Sequence, residues 1–276
     1  MTRALVLSGG GNLGAAQAGM LVALEDAGIR PDLIVGTSVG AFNGAWIAGG
    51  RSAGELAQLW RTLRRRDVYP IDLIGGFLGF VGLRDHLVSD GPLRRLLTQY
   101  VTFERMEDAP IPFHVVATDV LTGHDLLLNR GSAVDAVLAS AAIPGIFPPV
   151  TVDGVELMDG GIANNTPISQ AVALGADELW VLSTGHACGL TAPPKTALAM
   201  MLHAFSVAIE ERLNLDIAEY AETVDLKVAP PLCPVNVLPT DFSQSGHLID
   251  DARRQTEAWL QQQHLALASD RGHRHQ

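Results

Sequence analysis

Cysteine is scarce in this chain of 276 residues, with Cys188 and Cys233 the only two. Two thiols make no disulfide framework, no Cys/His cluster has zinc spacing, and both read as structural. Basic residues are also few, 19 Lys and Arg against 30 Asp and Glu, for a formal net charge of -11. A nucleic-acid binder draws much of its affinity from a basic face that neutralises phosphates, so nucleic acid is not an expected partner. The only compact basic run is Arg61, Arg64, Arg65 and Arg66. It ends a helix predicted over Ser52 to Arg66, where cations complement the C-terminal dipole; local contact with anionic lipid is the alternative. No apolar stretch reaches the ~18–20 residues that a membrane-crossing helix needs. The first strand is predicted from Ala4, which leaves no room for a signal peptide. A cytoplasmic setting is therefore expected, with peripheral membrane contact left open. Repeats and low-complexity linkers are absent, while 47% of residues are hydrophobic and 18% charged. This predicts one domain over 1–276, with a core about 4–183, a helical and strand part about 196–268 and a frayed tail 269–276.

What is present is glycine at strand ends. Ala4 to Ser8 reads as a buried strand and runs into Gly9-Gly-Gly-Asn-Leu-Gly14. Apolar residues recur at helical spacing from Ala15 to Ala27, and Gly28 is a helix stop. Leu33 to Val35 reads as a second strand, followed by Gly36-Thr-Ser-Val-Gly40 and a helix over Ala41 to Ala48. Strand, glycine turn and helix, twice over, open an α/β domain with a mainly parallel sheet. Further strands are predicted at Phe113 to Thr118, Asp125 to Asn129 and, centrally, Leu179 to Ser183. Ile71 to Leu83 is apolar but carries four glycines, which fits a flap, one that touches lipid or packs as irregular core. Leu198, Met201, Leu202, Phe205, Ile209, Leu213 and Ile217 form a helical stripe, read as core-facing or as a Met-rich wall of an acyl pocket.

Gly36-Thr37-Ser38-Val39-Gly40 matches the nucleophile elbow G-x-S-x-G, in which small flanking residues let a serine rise on a sharp strand-to-helix turn. An ordinary glycine-bracketed turn is the bland alternative. Gly9, Gly10, Gly11, Asn12, Leu13 and Gly14 offer backbone N–H groups to an anion beside a helix N-terminus. That anion is either a reaction oxyanion or a cofactor pyrophosphate, since Gly9, Gly11 and Gly14 also satisfy the dinucleotide spacing. The dinucleotide reading needs an acidic residue at the end of the second strand. The elbow stands there instead, and Asp32 lies at the strand's other end. A base for Ser38 is offered by Asp159, held in the turn Asp159-Gly160-Gly161, which read alone is a plain hairpin turn. His186 and His247 are the histidine alternatives, in the chain order Ser, Asp, His.

Taken with Ala139-Ser-Ala-Ala-Ile-Pro144, these segments resemble the motif blocks of the patatin-like phospholipase family of serine acyl hydrolases, bacterial type. Four blocks match in order, between residues 9 and 161. The resemblance implies a three-layer α/β/α fold and a Ser-Asp dyad, with Ser38 as nucleophile and Asp159 as proton acceptor. It also implies an oxyanion hole in the Gly9 to Gly14 loop, and neither metal nor organic cofactor. Leu13 departs from the pattern, because many relatives carry Arg or Lys there. The expected function is hydrolysis of lipid esters through an acyl-serine, as in a phospholipase A or lysophospholipase, with a lipid or other acyl ester as partner. General carboxylesterase or thioesterase action is the alternative on the same dyad, and nucleotide binding the alternative from another class.

Overall fold

Alternate residues of the central strands divide between two apolar clusters, which is what a sheet buried on both faces requires. Leu5, Leu7, Ile34, Phe113, Val115 and Leu182 join one cluster, and Ala4, Val6, Leu33, Val35, Val116 and Val181 the other. The computed structural model describes residues 1–69, 83–185, 193–233 and 241–273. Eight strands form one sheet in the order β5-β6-β3-β2-β1-β7-β8, with β4 paired to β3 outside that path. They are β1 (Arg3–Leu7), β2 (Leu33–Thr37), β3 (Phe113–Asp119), β4 (Asp125–Leu128), β5 (Val150–Val152), β6 (Val155–Asp159), β7 (Glu178–Leu182) and β8 (Asp225–Ala229). β3, β2, β1, β7 and β8 run parallel, whereas β4, β5 and β6 pair antiparallel.

The helices lie on both faces, giving three layers. Helices α1 (Gly14–Asp26), α2 (Val39–Ala48), α3 (Ala53–Thr62), α4 (Arg65–Val68), α5 (Gly91–Tyr100) and α6 (Ala133–Ser140) are followed by α7 (Gly161–Asn164) and α8 (Ile168–Ala173). The chain ends with α9 (Ala197–Tyr220) and α10 (Ser245–His273). Buried residues of α1, α2, α3 and α10 join the cluster of Leu5, while Ile168 of α8 and Leu213 and Ile217 of α9 pack on the opposite face. Among the described residues, no helix is long and apolar enough to cross a membrane.

Several expectations are corrected. The helix predicted over Ser52 to Arg66 is two helices. Ser52 caps α3 through a capping box with Glu55, but the backbone turns extended at Leu63 (ψ 142°). Arg64 then folds back to donate to the carbonyls of Arg61, Thr62 and Leu63 at 3.0–3.1 Å, so the cation does complement a helix C-terminus. The stripe on α9 faces the core only in its C-terminal half: Met201 is 64% and Phe205 38% exposed. The side chains of Leu198 and Leu202 lie outside the described residues, as do residues 71–82 of the glycine-rich segment and His186. Helix α10 continues to His273 through most of the segment expected to fray. Cys233 is disulfide-bonded, a covalent tie not anticipated from so few cysteines.

Candidate active site

The sheet brings together two segments 121 positions apart in the chain. On one edge of β3, Val116 pairs with Thr37 of β2, and the next residue, Ala117, pairs with Asp159 of β6. The opposite edge is taken by β4, with Val116 against Leu127 and Ala117 against Leu126. β6 therefore shares the edge of β3 that β2 occupies and takes it over where β2 stops. The last residue of β6 must land beside the residue that follows β2, which is Ser38.

That residue sits at φ 54°, ψ −121°, a region costly for a side chain-bearing residue, by about 1–3 kcal/mol. The flanking glycines are required by crowding. A Cβ on Gly36 would lie 2.5 Å from the Gly40 carbonyl oxygen, and one on Gly40 would lie 2.3 Å from that of Leu7. Ser140, at the end of α6, holds the bend: its hydroxyl accepts from the Ser38 amide at 2.7 Å and donates to the Val116 carbonyl at 2.6 Å. Thr37 Oγ1 donates to the Asn164 carbonyl at 3.1 Å, tying the elbow to α7.

Ser38 Oγ donates to Asp159 Oδ2 at 2.7 Å, and the Gly161 amide donates to Asp159 Oδ1 at 2.7 Å. Asp159 is buried, and that desolvation pushes its carboxyl up to about 6, against the opposing pull of the Ser38 and Gly161 hydrogen bonds. Gly160 and Gly161 do not make the hairpin turn read from sequence; they lead from β6 straight into α7. Nearby, Tyr69 is pushed up to about 12, first by burial and then by the Asp159 carboxylate, so its phenol stays protonated.

The glycine loop after β1 lies alongside, because β1 and β2 are adjacent and parallel. Its expected cradle is narrower than six amides. The Gly9 amide donates to the Asn165 carbonyl (3.1 Å), that of Leu13 to Gly10 (3.2 Å), and that of Gly14 to Asn12 and Gly11. Among the described residues nothing accepts from the amides of Gly10, Gly11 and Asn12. A buried polar chain fixes the loop from below. Trp60 Nε1 donates to Asn43 Oδ1 and Asn43 Nδ2 to Gln17 Oε1 (both 2.9 Å), while Gln17 Nε2 donates to the Leu182 carbonyl at 2.9 Å.

Ser38 and Gly11 open onto an apolar pocket. Phe42, Trp60, Leu97, Val137, Phe147 and Phe242 are among its walls, and among the described residues none of α9 serves as the expected Met-rich wall. Sequence reading missed Ser140 as the residue holding the Ser38 amide, and Phe242 as a pocket wall from the far end of the chain. Of the alternative bases, His247 is exposed on α10, and among the described residues no histidine is hydrogen-bonded to Ser38 or Asp159. Asp32, at the opposite end of β2, accepts from the Arg3 amide at 2.7 Å. No group of three or more His, Cys, Asp or Glu suited to a metal occurs among the described residues.

The sequence profile of the family described as Patatin-like phospholipase matches residues 5–172. Patatin-like phospholipase domain-containing protein 6 of Mus musculus is 33% identical over 186 residues, 67% of this chain and 14% of that protein. Lysophospholipase nte1 of Aspergillus terreus is 32% identical over 66% of this chain and 12% of its own length. An uncharacterized NTE family protein of Mycobacterium bovis is 35% identical over 63% of this chain and 46% of its own. The chain thus spans less than half of each of these relatives. Among solved structures, VipD from Legionella pneumophila aligns over 93% of this chain and 67% of its own, at a TM-score of 0.49 and 16% identity.

Proposed function

The chain belongs to the patatin-like phospholipase family, and from that premise we propose that it is a serine acyl hydrolase of lipid esters, of the phospholipase A or lysophospholipase kind, working through Ser38 and Asp159. The observation that carries the reading is the 2.7 Å hydrogen bond from Ser38 Oγ, on a strained strand-to-helix bend, to a buried carboxylate. Supporting it are three unengaged amides, Gly10, Gly11 and Asn12, in the adjoining loop, and an apolar pocket that opens at the hydroxyl.

In this scheme the acyl chain lies among Phe42, Leu97 and Phe147, with its ester carbonyl at Ser38. Asp159 takes the hydroxyl proton as Oγ attacks the carbonyl carbon, and the amides of the loop receive the oxyanion. Collapse of the tetrahedral intermediate breaks the ester C–O bond, and the alcohol leaves with the proton from Asp159. A water then gives its proton to Asp159 and attacks acyl-Ser38; the fatty acid departs and Ser38 is regenerated. An aspartate is an uncommon base for a serine hydroxyl, and burial brings it closer to the task by raising its pKa toward neutrality. Most of the remaining acceleration falls to the amides, since one oxyanion donor is typically worth about 100- to 1,000-fold.

The test is Ser38→Ala. Hydrolysis of short-chain acyl esters should fall to background, and labelling by a serine-reactive organophosphonate should disappear. Persisting turnover or labelling in that variant would take the nucleophile's role from Ser38.

A further inference from the structure

Beyond the acyl pocket lies a second space of opposite character, and Phe242 is common to the walls of both. Arg61, Arg64, Arg65 and Arg66 bound this broad basin, together with Asp241, Ser243, Ser245 and Gly246. The rim is bonded to the site itself: the side-chain amide of Asn12, whose backbone N–H is one of the three unengaged amides, donates to the Asp241 carbonyl. Phe242 in turn stacks on Trp60, with ring centroids 6.0 Å apart.

The arginines are not equally engaged. Arg61 is paired with Asp250, and Arg64 is spent on the carbonyls that end α3. Arg66 is 4.0 Å from Asp67 and strongly exposed, and the Arg65 side chain has no partner among the described residues. The carboxylates at hand are Asp67, Asp241 and Asp250, and Asp241 already accepts from the Ser243 amide at 2.9 Å. Among the described residues the four guanidinium groups outnumber these three carboxylates, in a chain whose formal net charge is -11. Leu13 brings no cation to the glycine loop, whereas this basin adjoins the pocket of Ser38 through the shared wall of Phe242.

Guanidinium groups grip phosphate through paired, charge-assisted hydrogen bonds. We infer that the basin holds the phosphate of a glycerophospholipid or lysophospholipid whose ester lies at Ser38, with Arg65 and Arg66 as the phosphate-binding groups. The inference rests on the acyl-hydrolase reading and adds to it the residues that hold the substrate's phosphate. The apolar pocket takes the chain, the bend and loop take the ester, and the glycerol unit carries the phosphate past Asn12 and Asp241 into the basin.

Binding can be tested apart from turnover, on the full-length Ser38→Ala protein. Two probes that differ only in the phosphate, 1-hexanoyl lysophosphatidate and monohexanoylglycerol, are titrated calorimetrically below their critical micelle concentrations. The lysophosphatidate should bind at least about tenfold tighter, a difference the size of one charge-assisted contact. The same preference should vanish in Ser38→Ala/Arg65→Gln/Arg66→Gln, whose affinity for monohexanoylglycerol should be unchanged. Equal affinity for the two probes, or a preference that survives the arginine changes, overturns the inference. Inorganic phosphate titrated alone separates the sources: binding as tight as that of lysophosphatidate would make this a free-phosphate site and refute the substrate reading. An arginine effect seen only on anionic vesicles would assign the patch to a membrane surface instead. Should wild-type protein hydrolyse no ester while the probe preference stands, the proposed activity fails and the phosphate site does not.

Discussion

Under the proposed mechanism Asp159 carries opposing demands, since a buried carboxylate is costly to ionise yet only the ionised form can accept the Ser38 proton. With its pKa raised to about 6, kcat/KM for a neutral ester should climb as pH rises through about 6 and then level off. A profile flat from pH 4 to 8 would remove Asp159 as the base. The same shift fixes the sign of a stability effect. Between the unfolded value of about 3.9 and the folded value of about 6, the folded state holds more protons than the unfolded one, so stability falls as pH rises through that window. The destabilisation is absent below about pH 4 and complete above about pH 7, and it is on the order of 3 kcal/mol. Asp159→Asn keeps the shape and both neighbours, Ser38 and the Gly161 amide. It should therefore be inactive, and more stable than the parent at pH 7 by roughly 1–3 kcal/mol in urea titrations, with the gap closing toward pH 4. Ser140 works differently, as a positioning residue. Ser140→Ala takes away the acceptor of the Ser38 amide and a donor to the Val116 carbonyl, and should cost roughly 1–3 kcal/mol of stability and lower kcat more than it raises KM. That Ser38 and Asp159 would meet was legible only from the motif blocks taken together, since each glycine turn alone also reads as an ordinary turn. The Ser140 contact was not legible, because a hydroxyl bond spanning 102 positions leaves no local signature.

At the scale of elements, close approach of backbones decides what packs. Helix α1 lies against α10, and a Cβ on Gly19 would stand 2.2 Å from the Ile249 carbonyl oxygen and 3.1 Å from the Arg253 amide nitrogen. Neither atom can swing away as a side chain would, so Gly19→Ala must push one helix off the other. A loss of about 1–3 kcal/mol is expected by urea unfolding, even though alanine is the better helix former; a neutral or stabilising outcome would contradict this packing. Periodicity revealed the elements with two buried faces or one clean stripe, which is why β1, β2, β3, β7, α1 and α2 could be placed from sequence. It failed where a tertiary partner sets the outcome. The helix over Ser52 to Arg66 breaks at Leu63, a buried residue, and no glycine or proline marks the break. The stripe on α9 looked continuous, yet only its C-terminal half has a sheet to cover. The most consequential element, β6 inserted on the edge that β2 vacates, depends on strand pairing that spacing does not encode.

At the scale of the molecule, the last helix completes what the first one begins. Helix α10 buries Leu248, Ile249, Ala252 and Leu260 against the face that also holds α1, and its Trp259 meets Trp180 of β7 edge to face. It is also fastened by Arg253 to Asp26 at 2.9 Å, but both partners are about half exposed, which limits that bridge to roughly 0–1 kcal/mol. Burial is the larger effect: three fully covered Leu and Ile side chains amount to roughly 5–9 kcal/mol, against a typical domain stability of about 5–15. A chain ending at Gln244 should therefore lose cooperative urea unfolding and near-UV dichroism, whereas Arg253→Ala should shift stability by no more than about 1 kcal/mol. Ile249→Ala should fall between them, at roughly 2–5 kcal/mol. If the shortened chain unfolded as cooperatively as the whole one, α10 would be an appendage, and the face of the sheet that carries the acyl pocket would have to be stable without it.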